Sequence, residues 1–232
     1  MIASHCNYSN VVALLLSKGA NVNEKGPRGG TALASASAAG RVEVVRMLVA
    51  NRASVDLGDY EGNTPLMNAA ERGHIAIVEF LLESGASCDV SNFNMWTPLL
   101  KATYNAHLDV VTKLIEKGAS IDLQDEEGKT PLITAARHGK DNMVKCLIQN
   151  GASIDGANVN LRGPQDATAL VIACDHGHLE IARMLINHGA SIKLSDESGD
   201  GPFMAAVHRG DPALVNLLLE RGASVDEQDC YG

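Results

Sequence analysis

The stretch TPLMNAAERGHIAIVEFLLESGASCDVS, Thr64–Ser91, carries its own punctuation. The Thr64 hydroxyl can cap orphan N–H groups at a helix start, and Pro65 is pre-organised for the first helical position. Gly73 supplies a residue able to take positive φ at a helix end. Apolar residues then resume at helical spacing from Ile75 to Leu82, until Gly85 stops them. The pattern predicts a short antiparallel helix pair. Ser87–Ser91 and the Asn92-Phe93-Asn94 that follows are polar, turn-rich and too short for a third helix, so they are expected to project as an extended β-hairpin finger.

Working outward, both ends of this unit recur. Gly-Ala falls at Gly19, Gly85, Gly118, Gly151, Gly189 and Gly222, with Arg52-Ala53 in the one gap, in steps of 33 residues and a single step of 38. Thr31, Thr64, Thr97, Thr130 and Thr168, with Gly201 in the sixth place, form a second ladder with the same period and the same insertion. Two ladders in phase mark a tandem array. The units are expected at 1–25 (partial), 26–58, 59–91, 92–124, 125–157, 158–195 and 196–228, with a stub at 229–232. Both ends fall within a unit and lack a polar capping face, which is expected of a slice from a longer array. The five extra residues lie around Asn158–Arg162. They read either as a tolerated surface insertion or as a longer finger that reaches a ligand. First helices are lined with small residues such as Ala69-Ala70 and Ala135-Ala136. They should approach closely while the bulkier second helices diverge, giving a curved stack with first helices inside.

Composition agrees with a modular, mainly helical protein. The 232 residues are 45% hydrophobic with only eight aromatic side chains, fewer than a single large core normally uses. The longest apolar runs, Val11–Leu16 and Ala169–Cys174, hold six residues, where a membrane span needs about 20. Met1–His5 has no basic stretch followed by an apolar core, so no secretory leader is read there. A net charge of −9 without a Lys/Arg cluster argues against nucleic acid as a partner. Cys6, Cys88, Cys146, Cys174 and Cys230 are odd in number and widely spread, a reduced-thiol pattern.

The Thr-Pro-Leu turns, the Gly73-His74 and Gly177-His178 pairs and the Leu-Leu…Gly-Ala ends resemble the ankyrin repeat family across essentially the whole chain. The resemblance implies an ankyrin-repeat solenoid of about seven helix-pair units. It departs in one column: the family usually has His after Thr-Pro-Leu, whereas Ala34, Met67, Leu100, Ile133, Val171 and Met204 stand here. Stacking is therefore expected to lean on apolar contact. Arg52 and Ala106 occupy glycine positions, where positive φ would strain the joint.

No catalytic spacing is present, neither Gly-x-Ser-x-Gly nor His-Glu-x-x-His nor a phosphate-cradling glycine loop, so the chain reads as non-enzymatic with no cofactor. His74, His107 and His178 share one unit position and read as structural; His138, His176 and His208 fall at exposed ends of first helices. His138 and His176 share a column on adjacent units but lack a third ligand, and no metal site is expected. Five of the eight aromatics lie between residues 60 and 104. Phe80 is expected in the core. Tyr60, Phe93, Trp96 and Tyr104 fall in columns that face the groove in the family, as large rigid anchors do at binding hot spots. For Trp96 a second reading stays open, packing with Phe93 on neighbouring fingers over Met95. Glu61, Glu71, Arg72, Asn94, Lys101, Asn105, Glu126, Glu127, Lys129, Arg137 and His138 come from the same columns and complete the candidate partner-binding set. The acidic finger Asp125-Glu126-Glu127 would favour a ligand with Lys or Arg beside an apolar anchor.

The resemblance implies an intracellular scaffold or adaptor, cytoplasmic or also nuclear. It would hold a partner's peptide, helix or domain on fingers and first helices, and it is expected to be a monomer. The alternative makes the chain a regulatory or substrate-recruiting arm of a larger enzyme or channel.

Overall fold

A computed structural model describes residues 1–154 and 164–227. The insertion at Asn158–Arg162 and the stub at 229–232 lie outside the described residues. Within them the protein has fourteen α-helices, no strand, and one short 3-10 turn at Pro164–Asp166. None of these helices is long and apolar enough to cross a membrane. The chain divides into two compact units, Met1–Ser120 and Ile121–Gly232.

The first unit holds four helix pairs: α1 (Ile2–His5) with α2 (Ser9–Ser17), α3 (Ala32–Ala38) with α4 (Val42–Ala50), α5 (Pro65–Glu71) with α6 (Ile75–Glu83), and α7 (Pro98–Tyr104) with α8 (Leu108–Glu116). The second holds three: α9 (Pro131–Arg137) with α10 (Asp141–Gln149), α11 (Ala169–His176) with α12 (Leu179–Asn187), and α13 (Pro202–Arg209) with α14 (Pro212–Glu220). Inside each unit, first helices pack on one another far more closely than second helices do. Ala69, Ala70, Ala102, Ala135 and Ala136 are buried at those first-helix contacts, where a larger side chain would force the backbones apart.

The helix starts form as the threonine ladder dictates. The hydroxyls of Thr31, Thr64, Thr97, Thr130 and Thr168 accept the backbone N–H three residues on at 3.1–3.3 Å, each satisfying one orphan donor of the first turn. Gly201 in the sixth place makes no such bond. The column that departs from the family is buried from Ala34 to Val171, so apolar side chains such as Met67, Leu100 and Ile133 fill it within their units.

Histidines tie the third, fourth and sixth pairs to the pair before them. The carbonyls of Ala38, Glu71 and Arg137, at the ends of first helices, accept from Nε2 of His74, His107 and His178 at 3.2, 3.0 and 3.2 Å. Arg41 does the same work for His5, its Nε donating to the carbonyl at 2.9 Å. Gly73 meets two demands beneath this bond. Its φ is +70°, and a Cβ there would stand 2.5 Å from Nδ1 of His107. Arg52 and Ala106 do adopt positive φ, +66° and +62°, and Met95 joins them at +58°.

The fingers are tighter than an extended hairpin. Two backbone bonds close each loop: the N–H of Asp59, Asn92, Asp125 or Asp196 donates to the carbonyl four residues on, and its own carbonyl accepts from the N–H three residues on, at 2.9–3.1 Å. Both bonds stay within one turn, and no strand forms among the described residues. Inside each loop the Oδ1 of Asp59, Asn92, Asp125 or Asp196 accepts from the N–H groups two and four residues on.

Candidate partner-binding surface

In the first unit, four of the expected residues form one cluster. Trp96 closes its finger, with its N–H bonded to Asn92 Oδ1 at 2.9 Å and its carbonyl accepting from Asn92 N. Tyr104 ends α7. Their rings meet edge to face, with centroids 5.3 Å apart and planes at 68°, an arrangement that the ring quadrupoles favour. Lys101, one turn before Tyr104, places its ammonium 5.9 Å from the Trp96 ring centroid and 3.1 Å from a Glu71 carboxylate oxygen on α5. Trp96 is half-buried while Tyr104 keeps 45% of its surface exposed. The pair is thus held by α5, α7 and a hydrogen-bonded loop, with much of Tyr104 left to solvent.

The other residues of this unit surround the cluster without joining it. Phe93 is 76% exposed, and its N–H donates to the Glu61 carbonyl at 2.9 Å, linking two finger tips. Tyr60, Glu61, Arg72, Asn94 and Asn105 are exposed. Lys25 stands 5.7 Å from the Tyr60 ring centroid, and Asn105 Nδ2 donates to the Lys101 carbonyl at 2.9 Å, capping α7.

In the second unit Glu126, Glu127, Arg137 and His138 are exposed. Lys129 pairs with Glu127, and that hydrogen bond, with a smaller contribution from Arg137, holds the Glu127 carboxyl below its ordinary range. His138 is oriented by a 2.8 Å contact between Nδ1 and the Thr134 carbonyl.

Three expectations are corrected. Phe80 is only half-buried, because the face that α6 buries is that of Ile77, Val78 and Leu81 and Phe80 stands at its edge, with the Arg46 guanidinium of the preceding second helix 4.6 Å from the ring centroid. Packing of Phe93 over Met95 does not occur, since Met95 is itself exposed at its finger tip and Trp96 turns to Tyr104 instead. Asp125 is buried with Oδ1 engaged by two backbone N–H groups, so the acidic finger offers Glu126 and Glu127 but not Asp125.

Sequence reasoning also passed over features of the second-helix side. Lys113 bridges Glu79 at 3.2 Å and Glu116 at 3.0 Å beside an open groove of about 660 Å³ lined by Ile75, His107 and Leu108. The i,i+3 spacing of Lys113 and Glu116 was the available signal. Burial pushes the Cys174 thiol up to about 12, with Asp211 and Asp175 adding to the shift, so it stays an inert thiol rather than a nucleophile.

Helix pairs at a 33-residue spacing, capped by threonine and tied by a histidine column, are matched by the family model for ankyrin repeats over residues 1–92, 87–158 and 154–229. The chain belongs to the ankyrin repeat family. Solved ankyrin repeat domains are similar along nearly their whole length. That of Bcl-3, described as a unique member of the IkappaB protein family, shares 28% identity at a TM-score of 0.81, covering 94% of this chain and 96% of that one. The human ASB11 ankyrin repeat domain shares 26% identity at a TM-score of 0.82, covering 96% of each chain. A search of curated proteins finds no match. Ankyrin repeat domains are in general protein–protein interaction modules, and fold alone does not choose the partner.

Proposed function

We propose that this chain is a non-catalytic recognition module that holds a partner protein against the cluster formed by Trp96, Tyr104, Lys101 and Glu71. The observation that carries this reading is the edge-to-face Trp96–Tyr104 pair, braced by an ion pair and a hydrogen-bonded loop yet open to solvent. Such a pair has already lost its conformational freedom, so little ordering entropy opposes binding. Tyr60, Glu61, Arg72, Phe93, Asn94 and Asn105 supply the rim. Glu126, Glu127, Lys129, Arg137 and His138 supply polar contacts of the second unit. The partner is a peptide, helix or domain with an apolar anchor for the aromatic pair and basic groups for the exposed carboxylates. A cytoplasmic setting fits the four free cysteines among the described residues.

The test is quantitative capture of partners on the immobilised chain, comparing it with Trp96→Ala, Tyr104→Ala and the double variant. Each change is expected to weaken binding by more than about 1 kcal/mol, as hot spots do. The thermal midpoint should fall by no more than about 4 °C, as expected when at most about 1 kcal/mol of ring–ring energy is lost. Equal losses of binding and of folding would make the pair core rather than site.

A further inference from the structure

Asn68, Glu71 and the C-cap Arg72 stand at i, i+3 and i+4 on one face of α5. Glu71 reaches across to Lys101, so this face is turned toward the aromatic cluster. The residues at the same register on α3 are Ser35, Ala38 and Ala39, too small to cover it. Among the described residues the half-buried Asn68 carboxamide makes no hydrogen bond, and its polar atoms stay within reach of solvent. The exposed Arg72 guanidinium pairs with no carboxylate. A carboxamide donates and accepts at once, which makes it the complement of a peptide group. A helical ligand has used those groups internally except at its ends, whereas an extended chain keeps them free along its length. Asn68 therefore suits an extended backbone.

Charge selects the ligand's side chain. Glu71 and Lys101 satisfy each other at 3.1 Å, which leaves Arg72 as the uncompensated cation beside them. Lys25 and Arg28, at the first finger, also pair with no carboxylate; Lys25 Nζ bonds the Gly58 carbonyl instead. Residues 1–120, with ten basic and eleven acidic side chains, are close to neutral, so the field there does little to repel an anion. Spacing adds a pattern: packed helices lie about 8–10 Å apart and an extended chain rises about 3.3 Å per residue, so the step from Arg72 to Tyr104 spans about three ligand residues. We propose that the first unit binds an extended acidic peptide. Asn68 clamps one of its backbone peptide groups, Arg72 pairs with an aspartate or glutamate side chain, and an apolar residue about three positions away lies on Tyr104 and Trp96. This rests on the aromatic cluster being the partner site and specifies its occupant there; the basic groups suited to the exposed carboxylates belong to other parts of the partner.

Fluorescence anisotropy of the whole chain with short labelled peptides, capped at both ends, tests it. Each probe carries one Leu with Glu, Gln or Lys three positions to either side, in a Gly-Ser background. The better-placed Glu peptide should bind at least about tenfold more tightly than its Gln or Lys counterpart, which lack the charge-assisted pair. Arg72→Glu should transfer that preference to the Lys peptide. Asn68→Ala should weaken the Glu and Gln peptides by the same factor, about fivefold, because it removes bonds to backbone rather than to side chain. Neither side chain bonds within the described residues, so both variants should keep the thermal midpoint. Failure of every peptide to bind overturns the proposal. So does a Glu preference that survives Arg72→Glu, or equal binding of the Glu peptide once it is stapled into a helix. If Trp96→Ala and Tyr104→Ala release captured partners while Arg72→Glu and Asn68→Ala retain them all, the aromatic site stands and this occupant falls. Partners and peptides indifferent to Tyr104→Ala would remove both.

Discussion

Position 73 and position 106 occupy the same place in successive repeats and solve it differently. Gly73 has positive φ and lies under the His107 ring, whereas Ala106 takes φ of +62° and the residue thirty-four on is Lys140 rather than histidine. Left-handed backbone costs an L-residue about 1–2 kcal/mol. Ala106→Gly should therefore raise stability by up to about 1 kcal/mol, after the extra freedom glycine gains when unfolded. Gly73→Ala should cost more than about 2 kcal/mol, since strain and the 2.5 Å approach to His107 add. Urea unfolding of both variants measures the contrast, and equal effects would remove the histidine from the explanation. Asp122 allows a pH test at the same scale. Its carboxylate accepts from the Ser153 N–H at 3.0 Å, yet burial outweighs that bond and raises its pKa above the ordinary 3.8. A raised carboxyl pKa stabilises the fold below the unfolded value, and that benefit is lost as pH rises through the folded value. Asp122→Asn should accordingly be the more stable protein at pH 7, with the gap closing as pH falls toward 4. A gap that widens in acid would reverse the sign.

Helix starts are the elements whose chemistry is most local, and they were the most legible. Thr-Pro-Leu names a cap and a first helical residue without help from the rest of the chain, and five threonines make the bond expected of them. Thr130→Ala should cost about 1 kcal/mol in denaturant unfolding; Gly201, which makes no cap bond, provides the internal comparison, because Gly201→Ala removes no such bond. Fingers were less legible. Their turn residues are plain in sequence, but whether a loop pairs as a hairpin or folds on an Asx side chain depends on how many backbone bonds close it. The acidic or amide residue at 59, 92, 125 and 196 was a periodic signal for the second outcome, and it also explains why Asp125 is not a ligand-facing acid. Phe80 was misplaced because an apolar run marks a helix without saying which of its residues lie at the centre of the buried face, and Ile77, Val78 and Leu81 take that place.

At the scale of the molecule, periodicity carries the architecture, since each helix pair buries its apolar face only against neighbours and the same few positions must recur. Binding residues obey no such requirement. Tyr104 stands out because its column elsewhere holds Ala38, the charged Glu71, Arg137 and Asp175, and the histidines His5 and His208, but that Trp96 would turn to it rather than to Phe93 depends on contacts that no period encodes. Charge is unevenly shared: ten basic against eleven acidic residues lie in 1–120, and nine against seventeen in 121–232. The second unit therefore has the more negative field. Site-specific photo-crosslinking tests the central claim most directly. A photoreactive phenylalanine placed at Tyr104, in the aromatic cluster, or at Thr112, beside the second-helix groove, is irradiated in a cell extract. Discrete protein adducts from position 104, with few or none from 112, are the predicted result. Adducts from 112 alone, or equally from both, would contradict the assignment of binding to the finger and first-helix side.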